Sequence, residues 1–368
     1  MTGLLSNFFK QKKLLGILFL SIFTGILAAT LWPFDFFLAN GVTWIASRNG
    51  LHFSKPGGVL ISSSALQIPS ALVSNSVSIE LWLRSDETWS ARSILAFYDA
   101  SSSKGILIRQ WNGGLLISRD FLRNPESKIP ERIYARRVFE RGSPLLLTIT
   151  SGPAGTTIYL NGEQRQSFPN FKIRAGDLSG QVVIGTSPVG FSPWRGDLYL
   201  ISLYADALTA EEIRLHYDSL SKSAFAPIPG QASLFAQYFF KESSGRIAHS
   251  SVSSAPEIQI PKNFFLPYKP FLQSAVASYE TTRAYYHDAF ANIVGFIPYG
   301  FLLYAYLVNT RSGRFAVLYS FLSGALFSFL IEALQGYLPQ RDSGWNDVIT
   351  NSVGALLGAL IARHLHRK

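Results

Sequence analysis

A run of 21 residues without a charge stands near the start of the chain, from Leu14 to Phe34. At about 1.5 Å of rise per residue, a helix of this length crosses a hydrocarbon core of about 30 Å. A cleaved signal peptide has a shorter apolar stretch of about 7–15 residues, followed by a small-residue cleavage site that this run lacks. The sequence therefore predicts an uncleaved transmembrane helix over 14–34.

Three further apolar runs lie near the end of the chain, at Ala289–Thr310, Phe315–Ile331 and Val348–Ala362. The last run has only 15 residues, so it crosses a bilayer only if Trp345 begins the helix. We expect transmembrane helices at about 289–310, 315–336 and 345–363. With the first run, they predict a four-helix transmembrane bundle.

The net charge of +10 is concentrated beside these apolar runs. Eight basic residues flank the runs with no acidic residue among them: Lys10, Lys12, Lys13, Arg311, Arg314, Arg363, Arg367 and Lys368. The rest of the chain carries 25 basic and 23 acidic residues. This excess follows the positive-inside bias of membrane proteins and does not indicate a nucleic-acid partner. We expect 1–13 and 364–368 to be cytoplasmic and about 35–288 to be external.

Between the first and second apolar runs, the pattern changes from helical to stranded. Residues 76–83 (SVSIELWL) alternate with period 2, and similar runs occur at 93–98, 105–111, 114–119, 144–150, 156–160, 181–185 and 197–204. Short strands at spacings of about 8–12 residues are typical of an antiparallel β-sandwich. Thr209 and Glu212 form a capping-box pattern that predicts one short helix. The chain has no cysteine, which excludes disulfides and thiolate sites.

Three segments of this region resemble the LamG and concanavalin A-like lectin/glucanase family. They are VSIELWLRS (77–85), LLLTITSGPAGTTIYLNGE (145–163) and GQVVIGTSPVGFSPWRGDLYLISLYADALTAEEIRLHY (180–217). A segment at 234–261 resembles the strand that usually opens such a domain, placed here at its end. The resemblance covers about 45–268 and implies a jelly-roll sandwich.

The sandwich is not expected to hydrolyse glycans. Retaining glucanases need two carboxylates about 5–5.5 Å apart, and Glu80 stands alone in its strand. Glycan contact through aromatic side chains is the alternative, with the candidates Trp111, Tyr134, Phe168, Phe171 and Trp194. The competing interpretation of each is packing in the core or at an edge. A calcium ion in the sandwich stays an open alternative, although no carboxylate cluster marks a site for it.

Polar residues at the ends of the last three apolar runs predict a pocket. The candidates are His287, Asp288, Asn292, Glu332, Gln335, Arg341, Asp347 and Asn351, and the expected topology places all of them on the external side. A carboxylate inside an apolar helix is costly and normally turns inward to a partner. We therefore expect the Arg341 guanidinium to lie near Glu332 or Asp347. The spacing of these carboxylates with His287 does not diagnose a metal site, and no cofactor is expected.

The same region resembles the VanZ family through D-x-x-x-N-x-x-G-F-x-P-x-G-F, then I-E-x-x-Q, then R-x-x-x-x-x-D-x-x-x-N-x-x-G-x-x-x-G. The resemblance covers about 284–364, with the first transmembrane helix as the opening helix of the family and the sandwich as an insertion. It implies a bacterial envelope protein of the cytoplasmic membrane, from a family linked to low-level teicoplanin resistance. Helix packing is expected at Gly295, Pro298, Gly300, Gly354 and Gly358.

Three hypotheses follow. The first is a non-catalytic envelope protein whose sandwich binds a glycan and whose bundle binds the polar head group of a lipid-linked or peptidoglycan-related ligand. The second is a membrane-bound enzyme acting on such a ligand, with Glu332 and Asp347 as acid and base. The third is a tethered adhesion module in which the polar residues only hold the helices together, at about 0.6 kcal/mol per hydrogen bond.

Overall fold

The chain divides into two compact units in the computed structural model, which describes residues 7–46, 48–72, 75–101, 104–119, 131–222, 233–275, 283–310 and 313–367. Met1–Phe36 and Lys269–Lys368 form the helical unit, and Phe37–Tyr268 forms the sandwich unit. The sandwich is thus inserted after the first helix of the helical unit.

Among the described residues, four helices of the helical unit are long and apolar enough to cross a membrane. Numbered together with the short sandwich helix, the helices are α1 (Lys12–Leu31), α2 (Ala210–Lys222), α3 (Arg283–Leu307), α4 (Ala316–Gln335) and α5 (Trp345–His366). Because α3 begins at Arg283, His287 and Asp288 lie within its first two turns. The four long helices are those of a membrane protein.

Helices α3 and α5 approach so closely that their backbones touch. A Cβ added at Gly354 or Gly358 would collide with a carbonyl oxygen of α3, and one added at Gly300 with a carbonyl oxygen of α5. A Cβ added at Gly295 would meet no other atom within 4 Å, and Pro298 is exposed. The expectation of helix packing at Gly295 is therefore wrong. At 3.6 residues per turn, positions 295 and 298 lie across the helix from the seam that contains Gly300.

The described part of the sandwich unit contains sixteen strands in two antiparallel sheets. The strands are β1 (Val42–Trp44), β2 (Leu51–Phe53), β3 (Leu60–Ser62), β4 (Val77–Ser85), β5 (Ala91–Asp99), β6 (Lys104–Trp111), β7 (Gly114–Arg119), β8 (Arg132–Ala135), β9 (Pro144–Gly152), β10 (Gly155–Leu160), β11 (Glu163–Phe168), β12 (Gln181–Ile184), β13 (Gly196–Tyr204), β14 (Leu234–Tyr238), β15 (Ile247–Ala248) and β16 (Ile258–Gln259). The first sheet has the order β1-β2-β13-β4-β9-β10-β11, with β14 also paired to β13. The second has the order β15-β16-β3-β12-β5-β6-β7-β8.

The core lies between the two sheets and follows the alternation of the strands. Ile79 and Leu81 of β4 share this core with Leu95 and Phe97 of β5. Side chains on one face of each sheet are thereby removed from water, which is the main stabilisation of a two-layer fold. The eight strands that the sequence predicts are all present, and the predicted β-sandwich is confirmed.

Both outer faces of the sandwich are partly covered. Helix α2 lies over the first sheet, and it begins with the predicted capping box, in which Thr209 and Glu212 exchange hydrogen bonds. Leu38 and Phe264 cover part of the second sheet. These two residues belong to the first and last segments of the unit, which run antiparallel: the Phe264 N–H donates to the Leu38 carbonyl oxygen at 2.7 Å.

Candidate functional site: a polar cavity in the helical unit

A cavity of about 660 Å³ lies where α1 and α4 end and where α3 and α5 begin. Polar groups from all four helices and from the loop before α5 line it. They belong to Thr30, Gln273, Tyr285, Asp288, Asn292, Gln335, Arg341, Asp342, Ser343, Gly344, Asn346, Asp347 and Thr350. Five of the eight residues that the sequence predicts for the pocket are among them: Asp288, Asn292, Gln335, Arg341 and Asp347.

The charged groups of the cavity wall are predominantly acidic. Among the described lining residues, the charged ones are the three carboxylates of Asp288, Asp342 and Asp347 and the guanidinium of Arg341. The Asp347 Oδ1 accepts a hydrogen bond from the Asn292 Nδ2–H at 2.9 Å, which joins α5 to α3. Asp347 lies in the first turn of α5, where the unpaired backbone N–H groups favour an anion. The cavity therefore has the charge to attract a cationic group.

Arg341 does not form the expected ion pair. Within the described residues, no Arg341 nitrogen lies within ion-pair distance of Glu332 or Asp347, and Nη2 instead donates to the carbonyl oxygens of Ala29 (3.2 Å) and Trp32 (3.0 Å). The last carbonyl groups of a helix have no partner within it, and such groups need one near the apolar core of a membrane. Arg341 satisfies this need at the end of α1, and the expectation of a contact with a carboxylate is wrong.

Gln335 binds the same end of α1. Its Nε2–H donates to the Thr30 carbonyl oxygen at 2.9 Å. Gln335 and Arg341 thus hold the end of α1 against the end of α4 and the loop that follows it, while part of each side chain still lines the cavity.

Glu332 lies outside the cavity lining in the described structure. It is 1% exposed, and its Oε2 accepts the backbone N–H of Gly344 at 2.9 Å. The Ser343 hydroxyl donates to the Glu332 carbonyl oxygen at 2.7 Å. Gly344 precedes α5 directly, so the buried carboxylate fixes the start of that helix. This arrangement does not favour Glu332 as one half of a catalytic acid–base pair with Asp347.

Asn351 and His287 are also not part of the lining. The Asn351 Nδ2–H donates to the Ser328 hydroxyl oxygen at 2.9 Å and joins α5 to α4. The His287 side chain is 81% exposed, 3.9 Å from Asp288. The sequence places both residues near the correct helix ends, but the pocket assignment is wrong for them. The rotation of each side chain about its helix takes it away from the cavity.

Lys269 makes a polar contact that the sequence does not reveal. Its Nζ donates to the carbonyl oxygens of Gln335 (2.8 Å), Gly336 (3.1 Å) and Leu338 (2.5 Å), at the end of α4. A cation is favourable at a helix C-terminus, but burial lowers the pKa of Lys269 to about 8. Only the folded chain brings residue 269 to this position, so no local pattern indicates the contact. Asp342 is a further lining residue outside the predicted set, although its place beside Arg341 is visible in the sequence.

The five aromatic candidates of the sandwich fall into two groups. Trp194 is 1% exposed and Phe171 is 3% exposed, and both belong to the core between the sheets. A glycan cannot reach them, so their assignment as contacts is wrong. Phe168 packs partly against the same core. Trp111 is 38% exposed and Tyr134 is half-buried beside it, which leaves these two able to touch a ligand.

Two carboxylates among the described residues of the sandwich, Glu80 and Asp197, are buried, and each has several side-chain partners. Glu80 accepts hydrogen bonds from Thr148 (3.2 Å) and Tyr204 (3.1 Å) and lies 3.0 Å from His216 Nδ1 of α2. The Glu80 and His216 side chains are both fully buried. A buried charge of this kind is tolerated only when it is paired and hydrogen-bonded, so Glu80 is a structural residue.

Asp197 has three basic neighbours and a tyrosine. Its carboxylate lies 2.8 Å from Arg84 Nε, 2.7 Å from His52 Nδ1, 3.4 Å from Arg48 Nη2 and 2.9 Å from the Tyr199 hydroxyl. Burial alone would raise the pKa of Asp197, but the hydrogen bonds from Arg84, His52 and Tyr199 outweigh it and hold the pKa below its usual value. The Asp197 carboxylate is therefore ionised, and both of its oxygens have hydrogen-bond partners.

Comparisons with family models find two matches along the chain. Residues 232–366 match the VanZ/LLP1 model. Residues 60–214 match the model of the concanavalin A-like lectin/glucanases superfamily. The first match begins before α3 and takes in β14, β15 and β16, so it extends further toward the N-terminus than the sequence resemblance indicates. The chain thus combines a VanZ-like region with a lectin-like sandwich.

Solved structures similar to this chain are distant. A protein from Bacteroides ovatus, proposed to bind carbohydrate, is 14% identical with a TM-score of 0.40, and the match covers 58% of each chain. A heptameric SAP-like pentraxin from Limulus polyphemus is 14% identical with a TM-score of 0.39, covering 59% of this chain and 96% of the pentraxin. The CBM40 domain of a Ruminococcus gnavus sialidase, bound to sialyllactose, is 13% identical with a TM-score of 0.33, covering 45% of this chain and 95% of the domain. No curated protein sequence matches this chain.

Proposed function

We propose that this chain is a non-catalytic bacterial envelope protein that binds a polar head group in its membrane part and a glycan in its sandwich. The observation that carries the proposal is the cavity of about 660 Å³, whose described lining residues include three carboxylates and one guanidinium. A purely structural bundle would bring its polar groups together in pairs and would not need to enclose this space. The resemblance to the VanZ family also implies a link to teicoplanin resistance, which remains an expectation.

The cavity is proposed to open toward the outside of the cytoplasmic membrane. Basic residues stand at the opposite helix ends: Lys12 and Lys13 open α1, Arg314 precedes α4, and Arg363 lies near the end of α5. Positive charge collects on the cytoplasmic side of membrane proteins. Both termini are then cytoplasmic, and the sandwich is external.

The depth of the cavity suits a lipid head group. Aromatic side chains with large exposed areas surround the helix ends that form it: Trp32, Phe34, Phe271, Tyr337 and Trp345. Exposed Trp and Tyr side chains concentrate at the membrane–water interface, where head groups lie. A head group that carries an amine complements the acidic wall, because the Arg341 Nη2 already has two carbonyl partners.

The topology is tested by cysteine labelling with a membrane-impermeant reagent. Arg311 lies outside the described residues and Ser343 is buried against Glu332, so the neighbouring exposed positions Arg314 and Asp342 are the better sites. Label applied from outside should reach Asp342→Cys and not Arg314→Cys. Labelling of Arg314→Cys alone would contradict the proposed orientation.

The pocket is tested by native mass spectrometry of the full chain in mixed nanodiscs of phosphatidylethanolamine and phosphatidylglycerol. We expect the wild type to retain phosphatidylethanolamine, which has the amine. Asp347→Asn keeps an oxygen for Asn292 but removes the charge, and should weaken that preference about tenfold, the loss of one charged contact. Asp218→Asn, which removes an exposed charge from α2, is the matched control. Equal lipid retention by wild type and Asp347→Asn would contradict the pocket.

A further inference from the structure

The outer face of the second sheet carries a cation and two aromatic rings side by side. On β6, Arg109 and Trp111 are two residues apart and therefore share a face, while Ile108 next to Arg109 enters the core. The register places Leu116 of β7 opposite Arg109, and Tyr134 of β8 opposite Leu116. Arg109, Leu116 and Tyr134 thus form one row across three strands.

The two aromatic rings are held in place by the backbone around them. The Tyr134 hydroxyl donates to the Trp111 carbonyl oxygen at 3.2 Å. A side chain at Gly114, the residue opposite Trp111 on β7, would collide with the Tyr134 ring. Glycine at this position therefore makes room for Tyr134 to lie next to Trp111.

Arg109 has no anionic partner within the described part of the chain. Its Nε is buried without a hydrogen bond, and its guanidinium lies 5.3 Å from the centre of the Trp111 ring. Burial lowers the pKa of Arg109 from its usual value. A partly desolvated guanidinium whose neighbour is an aromatic ring keeps its hydrogen-bonding capacity for a ligand.

Other half-buried arginines of the sandwich do have a carboxylate partner. Arg84 binds Asp197 at 2.8 Å, Arg119 binds Asp177 at 3.0 Å, and Arg195 binds Glu87 at 2.6 Å. Each of these guanidinium groups is compensated by a carboxylate of the sandwich itself. Arg109 is half-buried as they are, yet no carboxylate of the described residues compensates its charge.

We propose that Arg109, Trp111 and Tyr134 form a subsite for a sugar residue that carries a carboxylate. The exposed ring of Trp111 offers a flat apolar surface to the C–H face of a pyranose. The Arg109 guanidinium is a planar donor that matches a carboxylate in two parallel hydrogen bonds. The inference rests on the glycan-binding part of the proposed function and specifies the class of glycan.

The test measures binding of acidic oligosaccharides to the purified full chain by isothermal titration calorimetry. The probes are oligosaccharides that end in galacturonate, glucuronate or N-acetylneuraminate, each compared with its methyl ester, together with uncharged chito-oligosaccharides. The variants are Arg109→Gln, Arg109→Lys and Trp111→Ala. Arg214→Gln is the matched control, because Arg214 is exposed on α2 over the other sheet.

We expect the wild type to bind at least one acid about tenfold more tightly than its ester, the effect of one charge-assisted hydrogen bond. Arg109→Gln should remove this difference and Arg109→Lys should restore part of it, whereas Trp111→Ala should weaken acid and ester alike. Arg214→Gln should match the wild type. An unchanged thermal midpoint for Arg109→Gln shows that the loss is not unfolding, and Arg109→Lys covers the case in which Gln is not tolerated.

Three results would overturn the inference, and the first two differ in what they say about the proposed function. Tight binding of chito-oligosaccharides that Trp111→Ala abolishes, with no preference for acids, would leave glycan binding intact and remove the acidic subsite. Absence of binding to every probe would refute both the acidic subsite and the proposed glycan binding by the sandwich. An acid preference that persists in Arg109→Gln would also refute the role of Arg109.

Discussion

The sandwich and the helical unit bury acidic side chains in different ways. In the sandwich, Glu80 and Asp197 each have a basic side chain as a direct partner. In the helical unit, Glu332 is bound by a backbone N–H and Asp347 by the neutral amide of Asn292. The sandwich therefore compensates these two buried carboxylates with basic side chains, whereas the described residues of the helical unit provide Glu332 and Asp347 with hydrogen bonds and no direct ion pair.

The basic residues of the helical unit explain this difference. Arg341 and Lys269 donate to free carbonyl groups at the ends of α1 and α4, where a membrane offers few other donors. The cations are thus engaged by helix ends and leave Asp288, Asp342 and Asp347 with excess negative charge around the cavity. A buried carboxylate that is fully paired with a basic side chain stabilises the fold. Carboxylates around a cavity that lack such a partner remain able to bind a cationic ligand.

The largest expected effect comes from breaking a compensated pair in the sandwich. His216→Ala leaves Glu80 buried without its basic partner, and we expect a loss of about 3–5 kcal/mol in the free energy of unfolding of this unit. Hydrogen–deuterium exchange of peptides from β4 and α2 in the full chain measures the change.

The matched control is His249→Ala. His249 also lies beside a glutamate, Glu242, at 3.3 Å, but its side chain is 60% exposed. An exposed pair contributes less than about 1 kcal/mol, so exchange should change little. Equal effects of the two substitutions would show that burial does not determine how much the Glu80–His216 pair contributes to the free energy of unfolding.

A smaller effect is expected in the helical unit, where Glu332 acts through a hydrogen bond and not through its charge. Glu332→Gln keeps an oxygen for the Gly344 N–H and should unfold in detergent at nearly the temperature of the wild type. Glu332→Leu leaves that N–H buried without a partner and should cost about 1–3 kcal/mol. A large loss for the Gln variant would mean that the carboxylate charge itself is required, as it is in the sandwich.

The last expected effect is a pH dependence due to Lys269. Because its pKa is about 8 in the folded chain against 10.5 for an ordinary lysine, the unfolded chain binds more protons than the folded chain between these values. Stability due to this group therefore rises with pH over that window. Relative to Lys269→Met, the wild type should gain resistance to unfolding by dodecyl sulfate from about pH 7 to about pH 10. A constant difference would indicate that burial does not perturb Lys269.

Local patterns are sufficient to predict most of the architecture. The alternation in 76–83 corresponds to β4, and the Thr209–Glu212 pattern to the start of α2, because in both cases the information lies within one turn or one strand. The polar β11 (EQRQSF) is not predicted, since an edge strand with few apolar residues has no alternation to detect.

The site is less predictable, because side-chain partners depend on rotations that a sequence does not give. Asn292 and Asp347, which the sequence places at neighbouring helix ends, form a hydrogen bond in the structure. The prediction for Arg341 fails because it weighs opposite charges and overlooks the free carbonyl groups at the end of α1. The prediction for Trp194 fails because its ring is buried. The Gly- and Pro-rich segment around it has no alternation that would indicate whether the side chain points inward or outward.

The antiparallel pairing of Leu38 with Phe264 brings the two ends of the sandwich together. A domain whose two ends lie close together can be inserted into a loop of another domain without separating the residues on either side of the insertion point. Proteins tolerate domain insertions and circular permutations for this reason. A recombination event could therefore add, remove or replace residues 37–268 as a cassette without changing the order of the helices. The same helical scaffold could in this way acquire a different recognition domain in another lineage, or by deliberate engineering.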